Sequence, residues 1–168
     1  MNRSTMRLWH RVAYTLLCSV SAAGFSIVSL CSQGELMLRG LNHITIAVSD
    51  IERSLKFYVE TLGFKGHVKW DSGAYLSLGD LWFCLLLDTP DSKEDYTHLA
   101  FDVDESKYNE VCSLLLESGI RQWKTNSSEG DSLYILDPDG HKLEIHVGSL
   151  QSRLENLRSS PYKGLVWL

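Results

Sequence analysis

The chain has few cysteines and little net positive charge. Its four cysteines (Cys18, Cys31, Cys84 and Cys112) form no C-x-x-C pair and no dense framework. That spacing supports neither a zinc ribbon nor a disulfide scaffold. Acidic residues outnumber basic ones, 21 Asp and Glu against 16 Lys and Arg in 168 residues, for a net charge of −5. A chain of this sign is poorly suited to nonspecific nucleic-acid binding, which runs on phosphate neutralisation by Lys and Arg. Apolar residues make up 44% and charged residues 22%. This is a globular composition, neither disordered nor fibrous. The length suits one domain with an appendage.

The N-terminal 36 residues differ from the rest. They hold three arginines and one glutamate, a net of +2, which leaves −7 on residues 37–168, and no side chain from Val12 to Gly34 is charged. A basic start before an uncharged apolar stretch resembles a signal peptide or membrane anchor. Against that, Thr15, Ser19, Ser21, Ser26 and Ser29 dilute the stretch, and no clean small-x-small cleavage site follows. A third reading makes Met37 the working start. Residues 1–36 are therefore treated as an extension, with a membrane partner expected only if the segment is a real anchor.

Residues 37–168 read as two copies of one unit. Leu41–Val48 alternates as a strand does. Ser49 with Glu52 predicts a capping box, and Ile51, Leu55, Tyr58 and Leu62 predict a helix closed at Gly63. Strands are expected at Gly66–Trp70, Ala74–Leu78 and Leu81–Leu87, the last two joined by the turn Gly79-Asp80. The order then repeats: a strand at Tyr96–Phe101, a helix from Glu105 to near Gly119, and strands at Gln122–Lys124, Ser132–Leu136 and His141–Val147. Asp137-Pro138-Asp139-Gly140 makes the last turn. His43 stands 20 residues before Gly63, and His98 stands 21 before Gly119. This predicts an α+β fold of two tandem βαβββ modules, about 40–90 and about 95–148. A tail of 149–168 follows, with a short amphipathic helix at Leu150–Leu157.

Overlaying the units locates the chemistry. His43 and His98 match on the first strands. Four residues beyond the second turn residue stand Cys84 in one unit and Glu144 in the other. Two imidazoles and a carboxylate suit a divalent transition metal and leave coordination sites open, which favours catalysis over a structural role. A strand histidine can equally fill a structural role, and Glu144 with His146 can form a solvated strand face. Cys84 reads as a small buried residue lining the site rather than a ligand. His141 and His146 rank below these, His146 as a competing ligand or an outer partner of one. Trp70 and Trp82 are core aromatics by default.

Residues 37–168 resemble the vicinal oxygen chelate superfamily, and within it the fosfomycin-resistance glutathione transferases. The resemblance rests on Gly40–Thr45, Trp70–Leu76, Leu81–Leu85, Asp95–His98, Trp123-Lys124, Ser128–Ser132, Asp137–Glu144, His146–Gly148 and Pro161–Gly164. The Asp-Pro-Asp-Gly-His-x-Leu-Glu segment points only to the fold. The Ser-Glu-Gly-Asp-Ser loop after Trp-Lys, with Trp-Asp-Ser-Gly-Ala-Tyr-Leu, selects the subgroup.

This resemblance implies Mn(II) bound by His43, His98 and Glu144, in a homodimer whose shared sites take the first-module histidine from the other subunit. It implies fosfomycin held through its phosphonate by Lys124, Ser128, Tyr134 and Arg153, with Thr45 near the epoxide and Trp82 packed against the antibiotic. K⁺ is expected in the loop of Asn126, Ser128, Gly130 and Ser132, and Tyr75 beside the thiol of the co-substrate glutathione. Taken without the resemblance, Lys124 and Arg153 are surface cations, Ser128 and Tyr134 loop and strand residues, and the loop a turn. Ser127 stands where many relatives carry Arg, which weakens anion attraction near the entrance. The expected reaction is epoxide opening by thiol, in the cytoplasm where glutathione is found. The alternatives are a glyoxalase-like isomerase or dioxygenase on the same scaffold, and a drug-sequestering binding protein without the metal.

Overall fold

In a computed structural model of the protein the described residues are 38–127 and 129–168. The expectations placed on residues 1–36 and on Ser128 lie outside them. Residues 40–168 form one compact unit. No helix among the described residues is long and apolar enough to cross a membrane.

The first module runs β1 (His43–Val48), α1 (Ile51–Leu55), a π-helical turn (Lys56–Thr61), β2 (Lys65–Trp70), β3 (Gly73–Leu78) and β4 (Leu81–Leu87). The second runs β5 (Leu99–Asp102), α2 (Glu105–Glu117), β6 (Gln122–Lys124), β7 (Ser132–Leu136) and β8 (Lys142–His146). The tail carries α3 (Leu150–Ser159). The two sheets have the same strand order, β1-β4-β3-β2 and β5-β8-β7-β6, and in each the first strand runs parallel to the last. The tandem βαβββ reading holds, and so does its register. Cys84 lies opposite Thr45 and Tyr75, while Glu144 lies opposite Ala100 and Tyr134.

Alternation decides which face each residue takes. Ile46 and Val48 of β1, Phe83 and Leu85 of β4, and Leu143 and Ile145 of β8 enter one apolar core shared by both modules. Phe64 joins its halves, with ring centroids 5.3 Å from Phe83 and 5.4 Å from Phe101. Burying each such ring contributes about 1.5–3 kcal/mol. The intervening residues of these strands are left on the opposite faces, and the chemistry lies there.

Two local expectations are corrected. Asp50, not Ser49, caps α1, its carboxylate accepting the Arg53 N–H at 3.0 Å. Ser49 is taken by a partner 90 residues away, its hydroxyl donating to Asp139. Trp70 and Trp82 are not core residues. They stand 38% and 39% exposed on the open face of the first sheet, because β2 and β4 turn those positions away from the core.

The Asp137–Gly140 turn fastens the second module to the first. Asp137 Oδ1 accepts the N–H groups of Asp139 and His141 at 2.9 and 2.8 Å, and Oδ2 accepts the buried Tyr58 hydroxyl at 2.9 Å. His141 Nε2 donates to the Ala47 carbonyl at 2.7 Å. This makes His141 a structural link. Arg53 pairs with Asp139 across the same junction. Burial, then the neighbouring Asp137 carboxylate, pushes the Tyr58 phenol far above its ordinary range, so it stays a donor. Tyr58→Phe strips a donor from a buried carboxylate while keeping the ring. It is expected to cost about 1–3 kcal/mol, read as a lower urea midpoint at unchanged slope. An unchanged midpoint would remove this bond from the junction.

Candidate functional site

The site face of the second sheet is built from alternate residues of three strands. Leu143 and Ile145 point into the core, so Lys142, Glu144 and His146 share the other face of β8. Tyr134 and Ser132 of β7 sit beside them in register. Glu144 is 7% exposed. His98, just before β5, meets it, with Nε2 2.8 Å from Glu144 Oε2.

That contact has a specific chemistry. His98 Nδ1 lies 2.8 Å from the Tyr96 carbonyl oxygen. A carbonyl only accepts, so Nδ1 carries the proton. Nε2 and the carboxylate oxygen then share either a second ring proton or a cation between them. The donor set, one imidazole nitrogen and one hard oxygen, suits a first-row divalent metal. A backbone carbonyl on the far nitrogen is the usual way of fixing a ligand histidine. Burial pushes the Glu144 carboxyl up. Hydrogen bonds from Ser132, His98 and Tyr134 outweigh it and hold Glu144 below the usual carboxylate range. The group is ready to serve as an anionic ligand.

One chain does not assemble the whole expected set. His43 stands exposed on the first sheet, its Nδ1 2.8 Å from Asn42 Oδ1 and its ring stacked at 4.6 Å on Trp82. Among the described residues no three His, Cys, Asp or Glu side chains converge on one point. Thr45 lies two residues along β1 on the same face as His43. Tyr75 forms edge-to-face contacts with Trp70 at 4.9 Å and Trp82 at 5.2 Å. The first sheet therefore offers an imidazole, a hydroxyl and an aromatic row. The second sheet offers the His98–Glu144 pair.

Of the anion-handling candidates, Lys124 pairs in register with Tyr134, which pairs in turn with Glu144. Lys124 Nζ donates to the Tyr96 hydroxyl and lies 4.5 Å from the centroid of the Tyr134 ring and 4.6 Å from that of Tyr96. The Tyr96 bond, with smaller help from both phenols, raises its pKa and keeps it a cation. Arg153 Nε is 3.3 Å from Glu129 Oε2, so the loop before β7 holds it. Asn126 Nδ2 donates to the Gly130 carbonyl at 2.8 Å. Gly130 adopts φ +80°, and a Cβ there would lie 2.9 Å from the Val147 carbonyl. Only glycine fits. Ser132 is buried beside Glu144. Cys84 is a buried free thiol on the first sheet.

Sequence reasoning missed Tyr96 and Glu129. Tyr96 does two jobs, its carbonyl orienting His98 and its hydroxyl engaging Lys124. Its position two residues before His98 in a period-2 segment was the available signal. Glu129 gave none, since its contact with Arg153 depends on where α3 docks.

Residues 40–145 match the sequence profile of the Glyoxalase/Bleomycin resistance protein/Dioxygenase superfamily. The chain is 50% identical over 136 residues to the glutathione transferase FosA of Serratia marcescens, covering 78% of this chain and 96% of that one. The chain belongs to this superfamily, in its fosfomycin-resistance branch. It is also 39% identical over 126 residues to the metallothiol transferase FosB of Staphylococcus saprophyticus, covering 71% of this chain and 83% of that one. Among solved structures, the fosfomycin resistance protein FosX of Listeria monocytogenes, complexed with Mn(II) and sulfate, superposes with a TM-score of 0.67 at 25% identity. That match covers 71% of this chain and 98% of FosX. The FosX of Mesorhizobium loti matches at 27% identity and a TM-score of 0.63, covering 70% of this chain and 99% of that one.

Proposed function

We propose that this chain is a Mn(II)-dependent glutathione S-transferase that opens the epoxide of fosfomycin and so confers resistance to it. The observation that carries the reading is the buried His98–Glu144 contact, an imidazole nitrogen and a carboxylate oxygen 2.8 Å apart, the donor types a first-row divalent cation takes. A likeness of 50% to a glutathione transferase supports the choice of thiol. The residues that would hold the metal are His98 and Glu144 with His43 of the partner subunit, in a homodimer. When bound, the metal supplies Lewis acidity to the oxirane oxygen.

The rest is the work of the chain's own groups. Lys124 and Arg153 offer charge-assisted hydrogen bonds to a phosphonate, and Ser128 and Tyr134 add hydroxyl donors. Glu129 holds Arg153 in place through their 3.3 Å contact. Thr45 lies toward the epoxide, and Trp82 offers its exposed ring to the antibiotic's carbon skeleton. Oxygens of Asn126, Gly130 and Ser132, with Ser128 by its place in the sequence, would supply hard ligands for K⁺. Tyr75 hydrogen-bonds the thiol sulfur and favours its thiolate. The sulfur attacks an oxirane carbon, a C–S bond forms as a C–O bond breaks, and the released oxygen takes up a proton to become an alcohol. No protein nucleophile takes part. A glutathione-dependent reaction places the protein in the cytoplasm.

The test is loss of fosfomycin, followed by phosphorus NMR, with glutathione, cysteine or water as the nucleophile. Glutathione with Mn(II) is expected to give a thioether adduct, faster than cysteine does, and water alone is expected to give no product. Turnover that ignores the thiol and yields a diol would overturn the glutathione assignment.

A further inference from the structure

His146 is the one histidine on the site face that the proposed chemistry leaves unused. Its Nδ1 lies 2.8 Å from Ser132 Oγ, and Ser132 Oγ lies 2.6 Å from Glu144 Oε1. The protons in this chain can be assigned. A hydroxyl has one hydrogen, and an ionised carboxylate only accepts, so the Ser132 proton goes to Glu144. The hydroxyl oxygen can then only accept from His146, which requires the Nδ1–H form of that ring. The direct distance from Nδ1 to Glu144 Oε1 is 3.6 Å, too long for a bond, so the serine is the necessary link.

The ring sits in a slot made for it. A Cβ added to Gly130 would lie 3.1 Å from His146 Cε1, and one added to Gly148 would lie 3.1 Å from His146 Nε2. Both glycines have positive φ, +80° and +136°, and so are sites that resist any side chain. With Nδ1 committed to Ser132 and Nε2 facing Gly148, neither nitrogen is aimed into the His98–Glu144 contact. The reading of His146 as a competing ligand has no support in this arrangement.

We infer that His146 is a positioning residue that acts through Ser132 to lock Glu144. The relay His146 Nδ1–H to Ser132 Oγ–H to Glu144 Oε1 fills one carboxylate oxygen and fixes the carboxylate plane. Oε2 is left directed at His98. This deepens the proposed function and rests on its reading of His98 and Glu144 as metal ligands. Groups behind a liganding carboxylate set its orientation and hence the metal's affinity.

The test is Mn(II) affinity, read by the EPR signal of free Mn(II), for the full-length protein at saturating K⁺. The variants are His146→Ala, His146→Asn and His146→Gln. The asparagine amide nitrogen sits where Nδ1 sits, and the glutamine amide reaches the place of Nε2. His146→Ala and His146→Gln are expected to bind Mn(II) about 10- to 100-fold more weakly, while His146→Asn stays within about threefold of wild type. If His146→Ala does not fold, the Asn and Gln variants decide between them. The inference is overturned if His146→Ala keeps wild-type affinity, if Asn falls as far as Ala, or if Gln rescues as well as Asn. A wild-type protein that binds no Mn(II) overturns the metal reading itself, which is a distinct result.

Discussion

Replacing Glu144 by glutamine is expected to abolish Mn(II) binding and fosfomycin turnover while leaving the metal-free protein folded and close to the wild type in stability. The contrast between lost function and kept fold makes this the sharper of the two tests. The glutamine carbonyl can still accept the Ser132 hydroxyl, as Oε1 does now at 2.6 Å. Its amide then faces His98 Nε2 and donates to it in the neutral ring, keeping the contact made at 2.8 Å. An ion-paired contact becomes a neutral hydrogen bond, a replacement that is often close to neutral for stability. For the metal the same change removes an anionic oxygen. Disturbing groups that merely orient a ligand costs about 10- to 100-fold, so losing the ligand should cost more than about 100-fold in affinity. The measurements are an EPR titration with Mn(II), phosphorus NMR of fosfomycin, and the thermal midpoint in chelator. Unimpaired Mn(II) binding by Glu144→Gln would remove the carboxylate from the site. A sharp fall in the chelated midpoint would show that Glu144 is a structural group instead.

The repeated unit explains what the bare chain reveals about this molecule. Module order, strand positions and the equivalence of Cys84 with Glu144 were legible because the unit is written twice. An ambiguous segment in one copy can be aligned on the other, and period-2 alternation survives in both. Whatever depends on contacts across the modules was not legible. Ser49 and Asp50 are both able N-caps, and the choice between them is made by Asp139, which draws the Ser49 hydroxyl away. The tryptophans show the same limit. Composition says that large rings usually bury, but β2 and β4 turn Trp70 and Trp82 onto a sheet face that this single chain leaves open. The candidate site divides along the same line. His98 and Glu144 were recoverable by counting along the repeat. The Tyr96 carbonyl behind one and the Ser132–His146 relay behind the other are hydrogen bonds that no spacing announces.

The open first sheet also sets the second large expectation. Among the described residues His43 and the His98–Glu144 pair are not gathered at one point, so the proposed three-ligand site calls for two copies. A closed twofold dimer exchanging first sheets builds two equivalent sites, each with His43 of the partner subunit. His43→Ala and His98→Ala should then each be inactive alone, since each damages both sites of its homodimer. In a mixed dimer the two lesions fall in the same site. The other site combines an intact His43 with an intact His98 and Glu144. Random reassociation of equal amounts makes half the dimers mixed, so about a quarter of wild-type turnover should return. Mn(II) stoichiometry should return in the same proportion, which separates restored sites from a contaminating activity. If each chain closed its own site, mixing two inactive variants would restore nothing. That outcome would leave the α+β fold intact and require a different third ligand. Recovery near one quarter would assign His43 to the site across the dimer, and with it the exposed row of Trp70, Tyr75 and Trp82 beside that histidine.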